Sequence, residues 1–366
     1  MSTRLELIGP MKHSFVLTGG GTGGHIFPAL AVAQVLRNRG HRVLFIGTRE
    51  GMESRLVPEA GYDMEFIRSG ALNRVGLRQQ LKTAFQLPGG MLTASGILRK
   101  FRPRAVFSMG GFVAGPVVLA TGVLRIPLVV MEPNVVPGFA NRKMAQYVYR
   151  ALLGFEVTRK WFPPSKSEVT GVPVRPEFFG VEPKNGGPFT VLITGGSRGS
   201  HNLNRASRES WPLFRNSSAP IRIIHQTGAA EYETLAREFR STGLDGEAMP
   251  FIRDMADMFR QTDIIIGRAG AGAVNEIAAA KMASVLVPFP FAADDHQRRN
   301  AEVMVERGAA RMILDSELTG GRLFEEIEKL RADPAALHAM RTQVKQFAKP
   351  GAAERAADVL EQAASC

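Results

Sequence analysis

A glycine-dense stretch near the beginning of the chain holds residue types that could bind an anion. It follows the apolar run SFVLT, closes with His25 and contains five glycines: Gly19, Gly20, Gly21, Gly23 and Gly24. Without Cβ atoms, backbone N–H groups can approach a phosphate closely at the positive end of a following helix. The spacing also satisfies the G-x-G-x-x-G pattern of dinucleotide binders, which is weak evidence by itself. The stretch therefore predicts a phosphate site, with a simple packing turn as the alternative.

A second stretch of the same design begins at Phe189. The letters FTVLITGGSRGS again place a glycine loop after an apolar run and before a helical pattern. A single dinucleotide-binding domain would not need this second copy, whereas two α/β domains would each open with one. The Pro- and Gly-rich passage from Gly171 to Phe189 lies between the two copies and is typical of a linker.

Three further segments place polar groups where parallel strands should end. SMGGFVAGP, from Ser108 to Pro116, adds a glycine turn after the run RAVFS. Glu132 and Asn134 follow the run PLVVM, although each could instead be a helix cap or a turn former. Glu276 follows RAGAGAVN inside a predicted helix, where a carboxylate can accept both hydroxyls of a ribose. The alternative for Glu276 is a solvated helix carboxylate.

Strand and helix patterns alternate along most of the chain. Apolar runs such as HRVLFIG, IRIIHQTG, MPFIRDM and TDIIIG are separated by helical patterns, including one that starts at Pro28, which predicts parallel βαβ units. We expect an α/β protein with domains over residues 12–175 and 188–347 and with ligands at the strand carboxyl ends. An alanine-rich helix over residues 350–366 is too short to be a domain and must pack on one of the two.

Composition limits the class of protein. Of the 366 residues, 45% are hydrophobic and 22% are charged, as in ordinary globular proteins. The single cysteine, Cys366, excludes an intramolecular disulfide and fits a reducing compartment. The net charge of +12 favours an anionic partner, but the dispersed arginines lack interleaved aromatic residues, which argues against nucleic acid. We expect no membrane-spanning segment, because Gly122, Arg125 and Pro127 interrupt the most apolar stretch.

A basic amphipathic segment predicts contact with an anionic membrane surface. Its apolar residues recur at helical spacing, and its basic residues occupy a neighbouring face. The apolar set is Leu77, Leu81 and Phe85, and the basic set is Arg74, Arg78 and Lys82. An ordinary core-facing helix with a solvated rim is the alternative.

Two adjacent aspartates raise the question of a metal site. Asp294 and Asp295 could be ligands, but Asp294 with Gln297 also fits a helix capping box. We expect neither a metal nor an organic cofactor.

Taken in order, these segments resemble one enzyme family. GGGTGGHIFPALAVA, MGGFVAGP, GVPVR, ITGGSRGS, RAGAGAVNEIAAA and FPFAADDHQRRNA extend over nearly the whole chain and are similar to the MurG family, the membrane-associated N-acetylglucosaminyltransferases of peptidoglycan synthesis. The resemblance implies a GT-B fold, in which two Rossmann-like domains face each other across a cleft. It also implies transfer of N-acetylglucosamine from its UDP donor to the C4 hydroxyl of the muramoyl sugar of lipid I, forming lipid II with inversion.

The resemblance also implies roles by position. The first domain would bind the acceptor and the cytoplasmic face of the cell membrane, the second would bind the UDP-sugar, and the C-terminal helix would return to the first. His25 is the expected general base, because an imidazole titrates near neutral pH. The alternatives are that His25 only donates a hydrogen bond to the phosphate, or that Glu132, or Asn134 acting through water, is the base. Gly20 to His25 and Gly110 to Gly115 would face the acceptor diphosphate, with Thr22, Gly23, Gly24, Gly110 and Gly111 as the binding residues. Arg175, Ser197, Glu276, His296 and Gln297 would line the UDP-sugar site, with Glu276 on the ribose. Asn134 and Ile252 would also bind substrate.

Three positions depart from the residues common in the family. Pro133 and Arg198 stand where glutamine is common, and Val172 stands where asparagine is common. These departures concern local geometry in the acceptor region and the second loop rather than the class of reaction. Further partners in cell-wall synthesis would be compatible with the family.

Two other functions stay open from the residues alone. An NADP-dependent oxidoreductase could use the first glycine loop, with Arg49 on a 2′-phosphate, although Gly47 stands where a ribose-binding acid is expected. A non-catalytic sugar-nucleotide-binding protein is the second alternative.

Overall fold

The protein divides into two compact units. A computed structural model describes residues 12–20, 23–69, 77–111, 113–217 and 220–366, without the side chains of residues 77–86. Unit 1 takes in the chain up to Pro133 and the segments Pro137–Pro173 and Gly351–Cys366. Unit 2 takes in Asn134–Val136 and Val174–Pro350. The three residues from Asn134 therefore group with unit 2, whereas the expected domain limits include them in the first domain.

Unit 1 is a parallel sheet covered by helices on both faces. Its strands are β1 Ser14–Thr18, β2 Arg42–Gly47, β3 Asp63–Phe66, β4 Ala105–Ser108, β5 Leu128–Glu132, β6 Arg150–Leu153 and β7 Ser167–Val169. Its first five helices are α1 Gly23–Asn38, α2 Glu53–Glu59, α3 Leu77–Phe101, α4 Ala114–Leu124 and α5 Phe139–Met144. The strand order is β3-β2-β1-β4-β5-β6-β7. Because the order reverses direction between β1 and β4, ligands are expected outside the carboxyl ends of these two strands.

Unit 2 repeats this architecture. Its strands are β8 Phe189–Thr194, β9 Ile221–Gln226, β10 Asp245–Met249, β11 Ile264–Gly267, β12 Ala283–Leu286 and β13 Arg311–Met312. Its helices are α6 His201–Arg215, α7 Tyr232–Thr242, α8 Met255–Arg260, α9 Ala271–Ala279, α10 His296–Glu306, α11 Gly320–Arg331 and α12 Pro334–Val344. The order β10-β9-β8-β11-β12-β13 reverses direction between β8 and β11. The predicted α/β class with two Rossmann-like units is confirmed.

The C-terminal helix α13, Ala352–Ala364, belongs to unit 1. Its buried alanines and Leu360 share one hydrophobic core with Phe15 and Leu17 of β1. Arg355 donates two hydrogen bonds to the Glu168 carboxylate, at 2.7 and 2.8 Å, and this pairing holds the pKa of Glu168 below its usual value. None of the described helices combines the length and the apolar character needed to cross a membrane.

Two elements differ from the sequence predictions. Helix α1 begins at Gly23 rather than at Pro28. Pro28 is the sixth residue of the helix and has no N–H to bond to the Gly24 carbonyl, and the helix continues past this one missing bond. Gly23, Gly24 and His25 therefore form the first helical turn. The predicted strand over MPFIRDM is also wrong, since β10 ends at Met249. Pro250 has no N–H to continue the ladder, so Ile252 lies in the loop that follows.

Candidate active site

The first glycine loop lies at the carboxyl end of β1, beside the loop that follows β4. Gly19 packs so closely on Met109 that an added Cβ would lie 2.6 Å from the Met109 Cβ. Gly111 has a left-handed φ of +80°, and a Cβ there would lie 3.4 Å from His25 Nδ1. The structure thus brings the two predicted glycine segments of unit 1 together at the point where the strand order reverses.

His25 is the third residue of α1. Its Nδ1 lies 3.2 Å from the Gly20 carbonyl oxygen, which can only accept a hydrogen bond. In the neutral imidazole the proton is therefore assigned to Nδ1, and the basic lone pair is on Nε2. The first helical turn around it also provides backbone N–H groups that the helix itself cannot pair. His25 thus lies beside a helix end whose backbone N–H groups could bind an anion.

Glu132, the alternative base, is the last residue of β5 and is buried. Its Oε2 accepts hydrogen bonds from the Gly138 N–H, at 2.9 Å, and from Asn141 Nδ2, at 3.0 Å. Asn141 also donates to the Met131 carbonyl, and an added Cβ at Gly110 would lie 3.0 Å from its amide nitrogen. These contacts give Glu132 a fixed place beneath the Gly110 turn, where it orients α5.

Asn134 is bonded to Asn300, which lies in the same unit. Asn300 Nδ2 donates to Asn134 Oδ1 at 3.1 Å and to the Ala269 carbonyl, and Asn300 Oδ1 accepts from the Val135 N–H at 3.0 Å. Asn300 is fully buried. One carboxamide therefore holds both Asn134 and the loop after β11.

The second glycine loop, residues 195–200, follows β8 and ends at Ser200, the N-cap of α6. Arg268, 11% exposed, donates to Ser200 Oγ at 2.5 Å and forms a 2.6 Å ion pair with Asp315. Arg268 also donates to the carbonyls of Val287 and Pro288. A single guanidinium thus joins the loops that follow four strands of unit 2. Ser197 lies within the loop so held.

Glu276 lies in α9 beside Arg175. The Arg175 guanidinium is 3.5 Å from Glu276 Oε1 and 3.4 Å from Glu177 Oε1, and it stacks 4.9 Å from the Phe178 ring centre. Burial raises the pKa of Glu276 to about 7, while Arg175 opposes this rise and Glu177 adds to it. The carboxyl group of Glu276 therefore changes charge near neutral pH.

The segment before α10 differs from the predicted capping box. Asp294 and Asp295 both have left-handed φ angles, and the side chain of Asp295, the N-cap residue, makes no capping hydrogen bond. Gln297 Oε1 instead accepts from the Phe289 N–H at 3.0 Å, so Gln297 does not complete the predicted capping box. His296 Nδ1 lies 2.7 Å from the Ala293 carbonyl. The side chain of Gln297 also approaches Gly270, where an added Cβ would lie 3.8 Å from its Nε2.

Comparison with known proteins matches both halves of the chain to one glycosyltransferase family. Residues 15–153 match the glycosyltransferase family 28 N-terminal domain, and residues 190–356 match the C-terminal domain of that family. The UDP-N-acetylglucosamine--N-acetylmuramyl-(pentapeptide) pyrophosphoryl-undecaprenol N-acetylglucosamine transferase of Solibacter usitatus is 53% identical over 352 residues, 96% of both chains. The protein of the same name from Nitrosococcus oceani is 40% identical over 357 residues, 96% of this chain and 98% of the relative.

A solved structure agrees with these relatives. The crystal structure of Acinetobacter baumannii MurG superposes with a TM-score of 0.77 at 32% identity, covering 96% of this chain and 100% of that one. This chain belongs to the MurG family of glycosyltransferases. The predicted GT-B fold and hexosyltransferase class are confirmed for this family member. The oxidoreductase alternative receives no support.

Some predicted residues of this MurG-family enzyme lie outside the described part. Thr22 and Arg74 are among them, as are the side chains of Leu77, Arg78, Leu81, Lys82 and Phe85, for which the structure gives only the backbone of α3. Over the residues that are described, no group of three or more His, Cys, Asp or Glu side chains could hold a metal ion.

Sequence reasoning missed the residues that hold the loops of this enzyme in place. Arg268, Asn300 and Gln226 are bonded to segments distant in sequence, and Asn141 is bonded to the end of β5, which precedes its own helix. Arg268 opens the motif RAGAG, so its position beside a glycine turn was a signal that could have found it. Gln226 ends the apolar run of β9, whereas Asn141 and Asn300 lie within helices among other polar residues, and no spacing rule distinguishes any of the three.

Proposed function

We propose that this enzyme transfers N-acetylglucosamine from UDP-N-acetylglucosamine to the C4 hydroxyl of the muramoyl sugar of lipid I, forming lipid II with inversion. The observation that supports this most strongly is the 53% identity, over 96% of both chains, with a relative whose name states this donor and this acceptor. The second support is geometric. Each unit places a glycine loop and a helix N-terminus at the reversal point of its sheet, which is the arrangement that binds diphosphates.

The first glycine loop and the Gly110 turn would bind the acceptor diphosphate. The N–H groups of the first turn of α1, including those of Gly23 and Gly24, suit this role because they have no intrahelical partners. Thr22 and Gly111 would complete the site. His25 would then lie beside the diphosphate, close to the sugar hydroxyl that must lose a proton.

His25 would act as the base through Nε2. It would remove the C4 hydroxyl proton as that oxygen bonds to the anomeric carbon of the donor sugar. The bond from the anomeric carbon to the phosphate oxygen breaks at the same time, and UDP leaves with the electron pair. Glu132, whose carboxylate already binds Gly138 and Asn141, fits an orienting role better than that of the base.

Unit 2 would bind the donor. The loop containing Ser197 and the N-terminus of α6 would stabilise the charge that develops on the departing UDP. Glu276 would accept the ribose hydroxyls, with Arg175 beside it. Ile252, His296 and Gln297 would complete the donor site, and Asn134, which Asn300 holds, would lie near it.

We also propose that unit 1 rests on an anionic membrane surface. The described residues include Leu92 of α3 and Leu119 and Val123 of α4, which are 74%, 40% and 62% exposed on two contacting helices. Basic side chains at the ends of these helices include Arg99, Lys100 and Arg125, all exposed. Apolar side chains within a basic rim suit the interface of an anionic bilayer.

A sedimentation assay with liposomes tests the membrane proposal. Leu119→Glu plus Val123→Glu should release the enzyme from anionic vesicles, and salt should do the same, because each cation near the surface contributes about 1 kcal/mol. The matched control is Leu213→Glu plus Val305→Glu, which changes two similarly exposed apolar residues of unit 2. Equal binding by both variants would contradict the proposal.

A turnover assay tests the reaction itself. Purified enzyme, a soluble lipid I analogue and UDP-N-acetylglucosamine should give UDP and a product heavier by one N-acetylglucosamine residue, identified by mass spectrometry. Release of UDP without the heavier product, or no release at all, would contradict the proposed activity.

A further inference from the structure

Gln226 is a buried side chain whose hydrogen bonds join two separate loops of unit 2. It is the last residue of β9, lies opposite Thr194 of β8 and is 1% exposed. Its Nε2 donates to Thr194 Oγ1 at 3.0 Å and to the Gly196 carbonyl at 2.8 Å. Its Oε1 accepts from the Ile252 N–H at 2.8 Å. The carboxamide therefore connects the glycine loop after β8 with the loop after β10.

The partners of Gln226 fix the orientation of its carboxamide. The Gly196 carbonyl can only accept and the Ile252 N–H can only donate, so the amide nitrogen must face the glycine loop. Both amide N–H groups and the amide oxygen are then used. Because the group is buried, losing any of these bonds would leave a polar atom without a partner at a substantial cost.

The bond to Gly196 also sets the direction of the next peptide group. In a trans peptide the carbonyl of one residue and the N–H of the next point in opposite directions. Holding the Gly196 carbonyl towards Gln226 therefore directs the Ser197 N–H to the opposite side. By the same rule, holding the Ile252 N–H directs the Phe251 carbonyl away from Gln226.

A glycine loop needs such external support. Gly196 has a φ of +82° and Gly199 a φ of +74°, and neither has a side chain that could limit its conformations. Gly199 packs against the Thr227 carbonyl, so the residue after Gln226 also contacts this loop. The end of β9 therefore contacts the glycine loop at two points, through Gln226 at Gly196 and through Thr227 at Gly199.

We propose that Gln226 is a positioning residue that couples the glycine loop to the loop containing Ile252, and that these loops meet the diphosphate end and the nucleoside end of the donor, respectively. The inference rests on the proposed function, since it takes both loops as parts of the donor site. Gln226 does not touch the donor. It keeps both loops in the positions that bind UDP, so that little ordering remains to be done when the donor arrives.

The test compares UDP and uridine binding by calorimetry in three variants. Gln226→Leu removes both connections and should weaken UDP binding about ten-fold or more and uridine binding several-fold. Thr194→Val removes hydrogen bonds on the glycine-loop side alone. It should weaken UDP binding about three-fold or more while leaving uridine binding unchanged, because the bond to Ile252 remains.

The matched control is Ser207→Ala. Ser207 is a buried hydroxyl of α6 that bonds His225 and contacts neither loop, so its loss should lower the melting temperature without changing either affinity. Unchanged UDP and uridine affinities in Gln226→Leu, with a lower melting temperature, would show a purely structural role and overturn the proposal. Equal weakening of uridine binding by Gln226→Leu and Thr194→Val would also overturn it.

Hydrogen exchange of the ligand-free protein separates this proposal from the proposed function. Gln226→Leu should speed exchange in residues 195–200 and 250–253 together, and Thr194→Val in the first segment alone. Absence of UDP binding by the unsubstituted enzyme would contradict the proposed function. Unchanged exchange in both segments of Gln226→Leu would contradict the coupling, whatever the enzyme binds.

Discussion

The two glycine loops occupy the same place in two sheets that share the order of six strands, with a seventh strand in unit 1, but different side chains support them. In unit 1, Gly20 packs on the buried carboxylate of Glu53, and the helix that follows presents His25. In unit 2, the loop rests on the carboxamide of Gln226 and is fixed at its end by Arg268. The first loop thus adjoins a group that can exchange a proton, and the second adjoins groups that only hold it in place.

This difference predicts a division of work between the units, in which one side chain of unit 1 acts in the chemical step and side chains of unit 2 act in donor binding. A base affects the chemical step, whereas a rigid loop and a ribose-binding carboxylate affect how tightly the donor binds. Substitution of the proton-exchanging group of unit 1 should therefore lower kcat, and substitution of the ribose-binding carboxylate of unit 2 should raise the KM for the donor. The following predictions test this separation.

The largest expected effect is that of His25→Ala. General-base catalysis typically contributes about 10²–10⁴-fold, so kcat should fall by that factor while the affinity for UDP-N-acetylglucosamine stays nearly unchanged. Steady-state kinetics with a lipid I analogue, together with calorimetry of the donor, would measure both quantities. A variant that keeps full kcat but needs more acceptor would show that His25 binds phosphate rather than protons.

Glu276→Ala should act on the donor instead. A hydrogen bond to a charged group contributes roughly 1.5–3 kcal/mol, so the KM for UDP-N-acetylglucosamine should rise about ten-fold or more with a smaller change in kcat. Glu302→Ala is a suitable control, because that partly exposed carboxylate only pairs with arginines on its own helix. An unchanged affinity for UDP in Glu276→Ala would return Glu276 to a structural role.

Donor binding should also depend on pH through Glu276. Its pKa is raised to about 7 in the ligand-free protein, and the ionised form is the one that accepts two hydroxyls. Raising the pH from 6 to 8 should therefore strengthen donor binding about ten-fold, as the carboxyl group becomes ionised. The donor is the right probe, because its diphosphate diester does not titrate in this range, unlike the terminal phosphate of UDP.

The control for the pH experiment is Glu276→Gln, whose donor affinity should be flat over the same range. The stability of the folded protein should change with pH in the opposite direction to the donor affinity. A carboxyl group whose folded pKa lies above its unfolded value of about 4.5 binds more protons in the folded state, so stability should fall as the pH rises from about 4.5 to 7. A flat donor affinity in the unsubstituted enzyme would contradict the assignment of Glu276.

Removal of metal ions should have the smallest effect. In the proposed mechanism, backbone N–H groups and helix N-termini stabilise the charge of the departing UDP in unit 2. EDTA should therefore leave kcat unchanged, as measured by UDP release. Loss of turnover with EDTA and its recovery with Mg²⁺ would show that the second loop needs a metal partner, as metal-assisted transferases do.

Local patterns in the sequence sufficed for the fold and for the location of the loops. The run before Gly19 and the run before Gly195 are largely apolar because parallel strands are covered on both faces, and glycines at their ends mark the loops. The start of α1 was misplaced because Pro28 is a strong helix-start signal that a helix can also contain within its first two turns.

The supporting contacts could not be predicted in the same way. Gln226 meets Gly196 and Ile252, and Asn300 meets Asn134, across long stretches of chain, so no periodicity places them together. The pKa of Glu276 likewise depends on burial and on Arg175, which the fold brings beside it. The residues that touch a ligand follow motifs, whereas the residues that hold those motifs depend on the three-dimensional packing.

The most direct test of the division of work is a single-turnover measurement with enzyme in excess over a lipid I analogue and with saturating donor. Under these conditions the observed rate reports the chemical step rather than binding. We expect His25→Ala to be slowed about 10²-fold or more and Glu276→Ala to react at nearly the rate of the unsubstituted enzyme once the donor is saturating. A normal rate for His25→Ala, or a similar large loss in Glu276→Ala at saturation, would contradict the account.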